Sequence, residues 1–205
     1  MLPVIVAVLA GTLAGFVHVL SGPDHLAAVA PLASHGDRTS WRAGALWGLG
    51  HSSGVLIVGL FALVLRGWLP GSFLIGGLSS WSERMVGVVL IGIGLWGFHR
   101  VFRGKADTHS HAHPRAAFGV GILHGLAGSS HFLGVLPALA LPGLSASLGY
   151  LGGFGIGTVA AMSGFATLIS LIATRTRHRG PAATRWLLSA CSTMALIVGI
   201  AWLSL

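Results

Sequence analysis

Charge is what this sequence has least of. Only 8% of its 205 residues are Asp, Glu, Lys or Arg, against roughly 25% in a soluble domain. That shortage excludes an ordinary water-soluble fold. Acidic residues are the scarcest, confined to Asp24, Asp37, Glu83 and Asp107. No H-E-x-x-H run occurs, so a zincin-type hydrolase has no sequence signature here. A nucleotide-binding motif is missing too. The single cysteine, Cys191, allows no internal disulfide and no thiol pair. It also disfavours soft Cu(I) sites, which take thiolates. Cys191 is expected to pack as a small apolar residue.

Apolar sequence is what fills the chain. Hydrophobic residues make up 54% and the mean hydropathy is +0.84, which places the chain in a bilayer. Its 32 glycines are interleaved with apolar residues, as in closely packed membrane helices. The net charge of +8 comes from Lys and Arg gathered near the ends of apolar runs. That pattern reports membrane orientation rather than nucleic-acid binding. The start, MLPVIVAVLAGTLAG, lacks a basic n-region, so it reads as a first span and not as a cleaved signal.

Six spans are expected, at about 2–33, 41–65, 83–101, 116–141, 144–174 and 186–203. The first is too long to be straight. Its 32 residues would make a helix of about 48 Å, against a hydrocarbon core of about 30 Å. Ser21-Gly22-Pro23 interrupts it, and proline lacks the N–H and clashes with the preceding turn. A broken helix follows, tolerated in a membrane only where it is buried or lines a polar cavity. Trp41, Trp68, Trp81 and Trp186 fall at span ends as interfacial anchors.

Two stretches carry the chemistry. His18 to Pro31 reads HVLSGPDHLAAVAP, and His124 to Pro137 reads HGLAGSSHFLGVLP. Laid over each other without a gap, they agree at His, Leu, Gly, His, Val and Pro. They read as two copies of one element, each on a broken helix, spans one and four. An odd number of spans separates the copies, so the second half enters the membrane upside down. The fold expected is an all-α membrane protein of six transmembrane helices in a 3+3 inverted repeat, the plan of secondary transporters. It forms a single transmembrane domain, 1–205, with repeats at about 1–104 and 115–205. The basic loops lie on one side. Both termini then face outside an inner (cell) membrane, and the His-rich loop 105–114 faces the cytoplasm.

Buried ionisable groups are costly in a bilayer and functional by default. Asp24 is the one carboxylate placed inside the membrane; Asp37, Glu83 and Asp107 fall in loops. The intramembrane histidines are His18, His25, His51, His124 and His131. Imidazoles with one carboxylate form an N/O ligand set for a divalent transition metal. His18 and His25 would be separated by about 10.5 Å along an unbroken helix, so sharing one ion requires the break between them. The first half-helix is expected to offer free carbonyls near Val19 and Leu20. Pro23 suits the first turn of the second half-helix, whose positive end favours an ionised Asp24. Ser52, Ser53, Gly48, Gly50 and Gly54 read as helix-contact residues. His109, His111 and His113 are either a metal pick-up point at the cytoplasmic mouth or solvated loop residues.

At these residues the chain resembles the nickel/cobalt transporter family and its urease-accessory-type relatives. That family is marked by an H-x4-D-H motif on one helix and a G-H-S/T-rich motif on the next. Here His18 to His25 matches the first, with five residues before Asp24 instead of four, and Gly50-His51-Ser52-Ser53 matches the second. The acidic motifs of the family's second half are replaced by His124 and His131. The resemblance implies a multi-pass permease for Ni²⁺ or Co²⁺; Zn²⁺ or Mn²⁺ is the alternative cargo, and no enzyme activity is expected. No permanently bound cofactor is expected. Partners would be the bilayer, the ion, and a second copy or a metallochaperone. Two other readings are an intramembrane metal-dependent hydrolase, using Asp24 as base or Ser163 as nucleophile, and a membrane accessory that hands metal to urease or hydrogenase maturation.

Overall fold

The computed structural model describes residues 1–34, 40–65, 79–103, 114–126 and 129–204, without the side chains of 65, 79–83, 114–115 and 129–133. Among the described residues there are eight α-helices and no strand. They are α1 (Leu2–Ser21), α2 (Pro23–Ala33), α3 (Ser40–Leu65), α4 (Ser79–Phe102), α5 (Pro114–Leu126), α6 (Ser129–Ala140), α7 (Leu144–Arg177) and α8 (Pro181–Leu203). Five of them, α1, α3, α4, α7 and α8, are long and apolar enough to cross a membrane. Their outer faces expose large apolar side chains, among them Leu9, Leu13, Phe61, Ile156 and Ile197, as lipid contact requires. The chain is a multi-pass, all-helical membrane protein.

The first expected span is two helices. Gly22 alone lies between α1 and α2, in an extended conformation (φ −89°, ψ 101°), and Pro23 opens α2. Of the carbonyls expected to be free, near Val19 and Leu20, that of Val19 accepts a hydrogen bond. The Gly22 N–H donates to the carbonyls of both His18 (3.0 Å) and Val19 (3.3 Å), and the Ser21 hydroxyl also donates to His18 O. The break is one residue long, so the next N–H still reaches back to close the helix. The fourth expected span is likewise divided, into α5 and α6. Pro31 lies inside α2 and Pro137 inside α6, the two prolines that the sequence copies share.

Small residues let these helices touch backbone to backbone. α1 crosses α7 through Gly11 and Gly15 on one side and Gly153 and Gly157 on the other. A Cβ on Gly11 would strike Tyr150 O, and one on Gly153 would strike Val8 O. α3 crosses α5 in the same way. A Cβ on Gly50 would meet Phe118 O, one on Gly121 would meet Trp47 O, and one on Gly125 would meet His51 O. Both crossings use glycines four apart on each helix, the spacing that permits close approach in membranes. Gly44 and Gly48 turn a second face of α3 onto α7 at Met162 and Val159. Ser53 back-bonds to Leu49 O, and Ser52 donates across to Gly155 O. Cys191 is buried.

Two apolar clusters bracket the middle of the bundle. One contains Val19, Val29, Trp47, Leu90 and Met162. The other contains Val55, Val135, Tyr150, Leu151 and Phe154. His25 and His124 pack on Trp47 of the first cluster, and His18 packs on Phe154 of the second.

Candidate metal centre

Asp24 stands in the first turn of α2 and is 3% exposed. The helix N-terminus favours a negative charge there. Each carboxylate oxygen takes one histidine. His25 Nδ1–H donates to Oδ1 at 2.9 Å, and His124 Nε2–H donates to Oδ2 at 3.1 Å. An ionised carboxylate only accepts, so those two nitrogens carry the protons. In a neutral ring the lone pair is then on the opposite nitrogen, Nε2 of His25 and Nδ1 of His124.

Helix α1 supplies His18, on the turn before the break. Because the chain bends at Gly22, the His18 and His25 rings come to 4.6 Å, edge to face. Helix α3 supplies His51, which is fully buried, with its ring 4.9 Å from His25, 5.7 Å from His18 and 5.6 Å from His124. Helix α5 supplies His124, whose ring is 4.8 Å from His25. The glycine crossing fixes the last two. Gly125 follows His124 directly and rests on the His51 carbonyl. Four histidines and one aspartate from four helices therefore share one buried space.

Ligand atoms of His18, His25 and His51 lie within 4.8 Å of one another, and so do those of Asp24, His25 and His124. Two nitrogens on one ion are at most about 4.2 Å apart, twice a metal–nitrogen bond of about 2.1 Å. A movement of under about 1 Å would close either set on an ion. The donor set is imidazole with carboxylate, which suits Ni²⁺, Co²⁺ or Zn²⁺.

Five of the predicted ligands meet here. The side chain of the sixth, His131, lies outside the described residues, as do His109, His111 and His113. The Ser163 hydroxyl donates to Val159 O at 2.7 Å, and α8 carries no histidine to activate it.

Sequence reasoning missed two aromatic walls. Trp47 is fully buried and stacks on His51 at 5.1 Å with an interplanar angle of 6°. It also lies 5.0 Å from the His124 ring and 5.6 Å from that of His25. Phe154 stands 5.3 Å from His18. The signal for Trp47 was its position one turn before His51 on the same helix face.

These features define a multi-pass helical membrane protein with a histidine–aspartate cluster in its interior. Comparison with known proteins places it beside three curated relatives. It is 38% identical over 206 aligned positions to Chloroplast protein FOR GROWTH AND FERTILITY 2 of Arabidopsis thaliana, covering 93% of this chain and 54% of that protein. It is 35% identical to Chloroplast protein FOR GROWTH AND FERTILITY 1 of the same plant, covering 93% and 56%. It is 29% identical over 185 positions to the urease accessory protein UreH of Bacillus sp. (strain TB-90), covering 78% and 75%. The chain spans about half the length of the two plant proteins. No family model and no solved structure matches it.

Proposed function

We propose that this chain is a secondary transporter of divalent transition-metal ions, Ni²⁺ or Co²⁺ first, across a cell membrane. The observation that carries the reading is the convergence of His18, Asp24, His25, His51 and His124 in the bundle interior. Such a group of ionisable residues is costly among apolar helices unless it serves an ion path. The resemblance of its motifs to the nickel/cobalt transporter family, and the urease accessory protein among its relatives, support a metal-handling role.

The helix packing supports an inverted repeat with the ion site at its centre. If spans one to three correspond to spans four to six, α1 against α7 maps onto α5 against α3. The pairs α3–α7 and α4–α8 map onto themselves. Among the described residues those four pairs are the most extensive helix contacts. Half-helices α1/α2 and α5/α6 then meet near the midplane, as in other transporters of this plan. Arg42, Arg103, Arg175, Arg179 and Arg185 are exposed at the helix ends joined to the basic loops, which supports an orientation with that side in the cytoplasm and both termini outside.

A second reading, a membrane accessory that hands metal to an enzyme under assembly, is favoured by the name of the urease accessory relative. Flux separates the two. The purified chain is placed in liposomes under a set pH gradient and offered Ni²⁺, Co²⁺, Zn²⁺ and Mn²⁺ in turn. A transporter moves Ni²⁺ or Co²⁺ across the bilayer unaided. Binding of metal with no flux for any of the four would favour the accessory reading instead.

A further inference from the structure

The five ligand-bearing residues do not form one shell. They form two triads, His18–His25–His51 and Asp24–His25–His124. His18 and His124 share no triad, and His25 belongs to both. Two donors of a single ion lie within about 4.2 Å, so an ion centred in one triad leaves the outer members of the other unbound.

The geometry points to two alternative ion positions in this cluster, one in each triad, that exclude each other because both draw on His25. The inference rests on the metal reading above and adds an order of events to it. A neutral imidazole has one lone pair to give. With Nδ1–H on Asp24, His25 offers Nε2, and the ion in the first position is held by His18, His25 and His51. In the second position the ion takes the place of the two hydrogen bonds on Asp24, held by a carboxylate oxygen, His25 Nδ1 and His124 Nε2. Each of the two rings then carries its proton on its other nitrogen, so no proton is gained or lost. The two positions differ in charge. Three neutral imidazoles leave the ion doubly positive, whereas Asp24 offsets one unit. His25 serves the two positions in turn: it releases the ion from Nε2, its proton passes from Nδ1 to Nε2, and Nδ1 then takes the ion up.

The test uses the purified full-length chain with Ni²⁺ alone, read by equilibrium dialysis and X-ray absorption, with His109, His111 and His113 replaced by alanine in every protein compared so that only interior ions are counted. The wild type should retain one ion per chain. His124→Gln should still bind one ion, with a shell of imidazole nitrogens. His51→Gln should still bind one ion, with carboxylate oxygen in the shell. Both should lose about ten-fold or more of their flux, because the transfer is interrupted. His25→Gln should bind none. Each variant is first checked for a single dispersed species, and His51→Asn and His124→Asn replace any that aggregates. Two ions retained per wild-type chain, or loss of binding in either the His51 or the His124 variant, would overturn the two-position scheme. A wild type that binds no ion would overturn the metal reading itself, and this inference with it.

Discussion

Asp24→Asn tests the electrostatics of the cluster with little change of shape. The carboxylate accepts from His25 at 2.9 Å and from His124 at 3.1 Å. The amide keeps one acceptor oxygen and turns a donor NH₂ toward the other ring. One histidine must therefore lose its hydrogen bond or swap its proton to the opposite nitrogen. A buried hydrogen bond to a charged group contributes about 1.5–3 kcal/mol. Removing the carboxylate partner of a metal-binding histidine lowers affinity about 10–100-fold, which is about 1.4–2.7 kcal/mol at 1.36 kcal/mol per decade. The two estimates agree, so Ni²⁺ affinity should fall by one to two decades while the fold survives. The assay is competition against a chromogenic chelator in detergent, with thermal unfolding as the control. An affinity within about two-fold of the wild type would mean that Asp24 neither orients nor binds, and the reasoning would fail.

Other substitutions probe the scaffold. Trp47→Ala removes a fully buried ring and should lower stability by about 3–5 kcal/mol, seen as a drop in melting temperature. Trp47→Phe should keep the stack on His51 and most of the metal affinity; loss of affinity equal to that of the alanine variant would contradict a purely steric wall. Gly121→Ala drives a Cβ into Trp47 O, an overpacking that should cost about 1–3 kcal/mol and also weaken metal binding, because the α3–α5 spacing sets the His51–His124 distance. Gly119 has open space around it, so Gly119→Ala should leave both unchanged and serves as the control. Ser163→Ala should leave metal flux as it is, since its hydroxyl is spent on Val159 O.

Much of this was legible because membrane sequences are constrained on few axes. Apolar runs located the helices, and the length of the first run required the break that Gly22 and Pro23 make. The distance argument for His18 and His25 likewise required that break, and with it the rings sit 4.6 Å apart. Boundaries were less legible. α8 begins at Pro181, several residues before the expected Trp186, and α7 continues to Arg177, because an Arg side chain can carry its charge out to the interface while its backbone stays helical. The state of the α1 carbonyls was not legible, since it depends on the break being one residue long. For Trp47 the spacing signalled only its contact with His51; its contacts with His25 and His124 were not legible. A tryptophan inside an apolar helix looks like any other core residue until the neighbouring helices are placed. The division into two triads is a matter of side-chain distance that spacing along the chain does not encode.

The central claim is that an ion is held between α1, α2, α3 and α5. Anomalous diffraction at the nickel edge from Ni²⁺-soaked crystals tests it most directly. The account predicts a peak enclosed by His18, Asp24, His25, His51 and His124, absent in His25→Gln. Ordered protein with nickel found only at its surface, or with the same interior peak in His25→Gln, would contradict it.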